Sequence, residues 1–173
     1  EDGKKRVQNA VLQTPLAIPV LREIARELEE NTEKICQVIA AIFDSKPKVF
    51  RSETKGFLTK ISAALKLHEQ RQEVLGSYLD LEPQTADALA ALKDIEAKGM
   101  AISALFADKI MGTDYVKAVA DGVEELAKRF RKVFVEVMAD YERESRRKSG
   151  TLQPDEVERL VNAQIRRNAD SRT

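Results

Sequence analysis

Residues 113–141 read TDYVKAVADGVEELAKRFRKVFVEVMADY, and their apolar positions decide the fold class. Val116, Val119, Val123, Leu126, Phe130, Val133, Val137 and Tyr141 recur three or four residues apart. On a 3.6-residue helix that spacing gathers them into one seam. Thr113 or Asp114 supplies an N-cap. At 1.5 Å per residue the seam runs for about seven turns, about 40 Å, and it predicts a long helix with Phe130 in the core.

Upstream of it, Leu21, Ile24, Leu28, Ile35, Val38, Ile39 and Ile42 form a second stripe, with Thr32 in one slot. This predicts a helix that opens near Pro19, where the fixed φ of proline suits a first turn. It should stop at Phe43-Asp44-Ser45-Lys46-Pro47, because proline disfavours helical geometry in the residue before it. Val49, Phe50, Phe57, Leu58, Ile61, Leu65, Val74, Leu75 and Tyr78 follow, interrupted by Gly56 and Gly76, and predict two shorter helices or one kinked helix. Asp80-Leu81-Glu82-Pro83 is the next stop, after which Ala86, Leu89, Leu92 and Ile95 start another stripe.

The predicted fold is therefore all-α, an elongated antiparallel four-helix bundle. Residues 1–18 are expected as a leader or linker and 19–148 as the bundle. Residues 99–113 should form a cap at one end, and 149–173 a basic C-terminal tail with a short polar helix. The chain opens on Glu1, so an excised fragment is expected.

Composition agrees with long helices and few loops. Only 7 glycines and 5 prolines occur in 173 residues, and 43% of the chain is hydrophobic, enough for one core. With 29 basic and 29 acidic residues the net charge is zero, so no global field holds the chain on nucleic acid or an anionic membrane. A single cysteine, Cys36, excludes an internal disulfide and a clustered thiolate metal site. No apolar run approaches the roughly 20 residues that span a bilayer.

Catalytic constellations are equally scarce. The one histidine, His68, lies in Lys66-Leu67-His68-Glu69-Gln70-Arg71. A phosphotransfer histidine needs small residues and a lysine close after it, whereas Glu69 follows here, so a solvated surface histidine is expected. Cys36 sits beside the first stripe as a small hydrophobe. The glutamates at 27, 29, 30, 124 and 125 lack the Glu-x-x-His pattern of di-metal bundles and read as solvated faces. No phosphate loop, nucleophile elbow or metal-spacing cluster occurs. The expectation is a non-enzyme with no catalytic residue, no metal and no cofactor.

Local charge is more informative. Between Leu126 and Lys148 stand eight basic residues against four acidic ones, while residues 20–34 hold five acids against three bases. Arg143, Arg146, Arg147 and Lys148, with Arg166, Arg167 and Arg172 further on, make a basic tail suited to a partner. Nucleic-acid binding would ask for a stronger basic surplus or interleaved aromatics and is not expected.

The run Ile102-Ser103-Ala104-Leu105-Phe106-Ala107-Asp108-Lys109-Ile110-Met111-Gly112 resembles the hook of Bep intracellular delivery (BID) domains. In that family an isoleucine, a leucine, a lysine, two aliphatic residues and a glycine occur in this order, matched by Ile102, Leu105, Lys109, Ile110, Met111 and Gly112. Ile42-Phe43-Asp44-Ser45-Lys46-Pro47 is similar to the family's first inter-helix turn, and Val116 to Lys148 to its long helix and positive tail. Phe106 stands where the family usually has a small residue, and Ala107 and Asp44 stand where it usually has glycine. The resemblance implies a secretion-signal and protein-interaction module, recognised by the coupling ATPase of a type IV secretion machine. It implies a parent that is an effector or an alphaproteobacterial conjugative relaxase, held in the bacterial cytoplasm before export and then translocated into a recipient or host cell. A host protein or the inner-leaflet membrane would be the partner after delivery. The reading without the family is a generic helical-bundle adaptor that binds a partner helix or an anionic membrane surface.

Overall fold

A computed structural model of the chain describes residues 2–40, 46–148 and 159, with the backbone alone for 140–148. Every named element among the described residues is a helix, with one isolated bridge between Ile39 and Met111 and no named strand. In chain order they form α1 (Asp2–Leu12), α2 (Ala17–Glu30), a 3-10 turn (Thr32–Lys34), α3 (Ile35–Val38), α4 (Pro47–Tyr78), α5 (Ala86–Ala104) and α6 (Thr113–Lys148).

The expected leader is a correction. Residues 2–12 are a helix that packs on α5 and α6, with Gln8, Val11 and Leu12 buried. Its apolar positions are too few to register as a stripe, and it is held by packing partners far along the chain.

The stripe expected to run unbroken to Ile42 divides at Asn31. There the backbone is extended (φ −148°, ψ 106°), and the Asn31 side chain accepts from Glu33 N–H at 2.9 Å. An asparagine side chain competes with the helix for backbone donors, and here it caps the 3-10 turn instead. The apolar periodicity survives the break: Ile18, Leu21, Ile24 and Leu28 of α2 and Ile35 and Val38 of α3 are all buried. Ile39 is extended, and Ile42, Phe43, Asp44 and Ser45 lie outside the described residues.

Pro47 stands in the first turn of α4, where its missing N–H costs nothing. α4 then continues as one helix for 32 residues through Gly56 and Gly76, so of the two expected arrangements the division into two shorter helices does not occur. A glycine inside a helix costs only about 1 kcal/mol. Thr54, Phe57, Ile61, Ala64 and Arg71 make its buried face. After the turn that follows Tyr78, Thr85 accepts from Ala88 N–H at 3.2 Å and caps α5. α5 runs back along α4, its most extensive partner: Arg71 lies beside Gly99, and Lys60 is ion-paired with Asp108 just past the end of α5. Gly99 is buried where α1 ends; a Cβ there would meet the Gln13 carbonyl oxygen at 2.9 Å.

The core joins α1 to α6 through Leu12, Leu21, Ile24, Leu28, Phe57, Ile61, Ile102, Phe106, Met111 and Val119. Phe57 and Phe106 meet at 5.3 Å between ring centroids. Each such side chain contributes about 1.5–3 kcal/mol before entropy is subtracted.

The helix predicted over 113–141 is present, but most of its seam is not core. Val119 is 3% exposed, whereas Leu126 is 52% and Phe130 54% exposed. α6 packs on α1 and α2 only through its first turns. Periodicity told which residues share a face and could not tell how far along the helix that face is covered. Phe106→Ala should accordingly lower the free energy of unfolding by about 3–5 kcal/mol. Phe130→Ala in dilute protein should change it by about 0.5 kcal/mol or less. Urea denaturation followed by circular dichroism measures both.

Candidate functional site

The segment between α5 and α6 carries the sequence-predicted hook. α5 ends at Ala104, and tight turns follow, with Phe106 N–H on Ser103 O at 3.1 Å and Lys109 N–H on Phe106 O at 3.1 Å. The chain then runs alongside residues 38–40. Ala40 N–H donates to Ile110 O at 2.9 Å, and Gly112 N–H donates to Val38 O at 2.8 Å, flanking the Ile39–Met111 bridge. α6 begins directly afterwards.

Gln8 of α1 fixes this turn from inside. Its amide nitrogen donates to Lys109 O at 3.0 Å and Phe106 O at 3.3 Å, while its amide oxygen accepts from Met111 N–H at 2.8 Å. Gln8 is 2% exposed, so these bonds replace water that the backbone groups would otherwise need.

The hook residues divide by burial. Ile102 and Met111 are in the core, joined by Phe106, while Leu105 and Ile110 are half-buried. Lys109 is half-buried and ion-paired with Glu53 of α4 at 2.9 Å. Gly112 is required by space: a Cβ there would lie 2.2 Å from the Gln37 carbonyl oxygen. The solvent-facing part of the turn is Ala104, Ala107 and Asp108. The Lys60 ammonium, bonded to Asp108, holds that carboxyl below its ordinary range. Where α6 starts, Tyr115 donates to Glu27 Oε2 at 2.8 Å. Burial first, and then that bond, push the Tyr115 hydroxyl up to about 12.

A second polar cluster lies where α1 ends. Arg71 is buried, and its Nη1 donates to Gln13 O at 2.8 Å, just beyond the C-terminus of α1, where a cation is favoured. Its Nη2 donates to His68 Nδ1 at 2.8 Å, and its Nε is buried without a hydrogen-bond partner. Burial lowers the Arg71 pKa. His68 is thus half-buried and engaged rather than a solvated surface histidine. Cys36 is half-buried against the core.

Of the basic tail, Arg143, Arg146, Arg147 and Lys148 fall in α6 with only their backbone described, and Arg166, Arg167 and Arg172 lie outside the described residues. Arg159 is ion-paired with Glu82 in the turn between α4 and α5.

Sequence reasoning missed Gln8, Glu53 and Gln13, because no local pattern marks a polar residue whose partners lie far along the chain. It also missed an open groove between α2 and α4, with Arg51 and Lys55 on one wall and Glu29 on the other. Among the described residues no cluster of three or more His, Cys, Asp or Glu could hold a metal, and no helix is long and apolar enough to cross a membrane. No family model, curated protein or solved structure matches the chain.

Two outcomes test this geometry. Gly112→Ala should cost about 3 kcal/mol, an overpacking penalty, and should speed hydrogen exchange at the Ala40 and Gly112 amides. The second concerns pH. Burial first, then Arg71 and Arg22, depress the His68 pKa below its ordinary 6.5. The unfolded chain then binds the extra proton more readily, so stability is complete above pH 6.5 and falls as pH drops through 6.5 towards the folded-state pKa. The melting temperature should decline between about pH 7.5 and 5.5 more steeply than in His68→Gln. Parallel curves for the two proteins would exclude His68 as the source.

Proposed function

We propose that this chain is a non-catalytic secretion-signal and protein-interaction module that directs its parent protein, an effector or a relaxase, into a type IV secretion machine through the coupling ATPase. The observation that carries this reading is the order and spacing of Ile102, Leu105, Lys109, Ile110, Met111 and Gly112. The architecture proposed with it is an elongated antiparallel four-helix bundle, to which α6 contributes through its first turns.

A signal of this kind works by shape and charge and needs no reactive group. The turn 105–112 suits the role, since a segment fixed at Gln8, Glu53 and Val38 presents one conformation, and preorganised surfaces lose little entropy on binding. Arg143, Arg146, Arg147 and Lys148 are assigned the electrostatic contact, with Arg166, Arg167 and Arg172 beyond them. Charges at the rim of an interface act mainly on encounter rate and orientation.

A second reading, a generic helical adaptor for a partner helix or an anionic membrane, draws on the exposed apolar face of α6. Residues 1–173 fused to a recombinase reporter separate the two. The secretion module should carry the reporter through a compatible, active machine. Changing Arg143, Arg146, Arg147 and Lys148 to Gln should lower transfer about tenfold, the equivalent of about 1.4 kcal/mol of contact energy. A stable fusion that does not transfer overturns the proposal. Salt-sensitive flotation with anionic liposomes, lost in the same variant, would favour the adaptor.

A further inference from the structure

α6 leaves the body of the protein at Gly122, where Leu16 of the α1–α2 turn passes 3.9 Å from the place a Cβ would take. Every residue from Glu124 through Lys132 is exposed. The seam nevertheless continues across that point without a change of spacing. Val116 and Val119 pack inward, while Leu126, Phe130, Phe134 and Val135 are 52%, 54%, 41% and 64% exposed. The rings of Phe130 and Phe134 stack on each other at 6.4 Å between centroids. The ion pairs Glu124–Lys128 (3.0 Å) and Glu125–Arg129 (3.2 Å) are exposed and hold such a helix only weakly. Helices of this length draw most of their stability from packing an apolar face. A seven-residue repeat of apolar positions, here 116, 123, 130, 137 and 119, 126, 133, is what one helix offers another in a coiled coil.

We propose that α6 pairs with α6 of a second copy of this chain, antiparallel and over residues 123–140, each Phe130 facing Val133 of the other copy. Three features of the seam select this occupant. The first is its extent. Centring the pair between Arg131 and Lys132 sets Leu126 opposite Val137 and Val123 opposite Asp140. The apolar run of one helix thus ends where the α1–α2 turn closes off the other. The second is size, since Phe134 falls opposite Ala127 of the second copy and large meets small on both sides of the axis. The third is charge: Arg129, beside the seam, meets Glu136 of the second copy, and the two-fold axis makes the contact twice. A parallel pair would set Arg129 against Phe134 and Glu136 against Tyr141, with no charge match. Arg159, the described residue of the tail, is engaged by Glu82.

Sedimentation velocity on the full chain over a wide concentration range tests the pairing, read separately from secretion. A reversible dimer is expected. Phe130→Asp should leave a monomer whose body unfolds at the original temperature. Arg129→Glu and Glu136→Arg should each weaken association about tenfold, and the two together should restore it. A chain that stays monomeric at every concentration overturns the proposal, as does a dimer that survives Phe130→Asp. Failure of the double exchange to restore affinity overturns it too, because the antiparallel register requires that contact. Dimerisation only after deletion of residues 149–173 would make the tail the occupant and overturn it equally.

Discussion

The backbone that turns between α5 and α6 must do so beside an apolar interior, and the rest of the fold depends on how its polar groups are satisfied there. One side-chain amide, Gln8, takes two carbonyls and one N–H of that turn. Buried peptide groups without partners cost more than the hydrogen bonds themselves contribute, so the turn and α1 hold each other in place. Ala40 and Gly112 close it from the other side, and Gly112 has no room for a side chain against Gln37. From that junction α6 takes its direction, and α4 is tied in through Glu53 and Lys60.

Away from this junction the packing thins in one direction. Arg71 and Gly99 mark the level at which α1 ends against α4 and α5, and Gly122 the level at which α6 parts from the α1–α2 turn. Past those points the α4–α5 pair carries exposed Leu89 and Leu92, and α6 carries exposed Leu126 and Phe130. Monomers seldom leave such faces without use. The molecule therefore divides its work: a body fixed by long-range polar contacts, and a helix whose seam is free to meet another surface.

His68 and Arg71 form a polar cluster that holds helix ends together. The guanidinium anchors a helix end, and the imidazole completes its hydrogen bonding only while neutral. That dependence on protonation is a property of packing, legible once three helices are in place.

The sequence by itself determined the helical class, the faces of α2, α4 and the start of α6, and the stop at Asp80–Pro83, because periodicity and proline act within a few residues. It also marked 102–112 as a distinct segment, though as a pattern of residues and not as a turn clamped from α1. Only the tertiary structure decided that residues 2–12 are a helix, that Asn31 divides the first stripe, and that Gly56 and Gly76 do not divide the next. Only it decided that the seam of α6 is core as far as Val119 and exposed by Leu126. Each of those outcomes rests on a partner tens of residues away, Gln8 on Met111 and Leu16 on Gly122 among them, and a local pattern carries no record of which distant surface arrives to cover it.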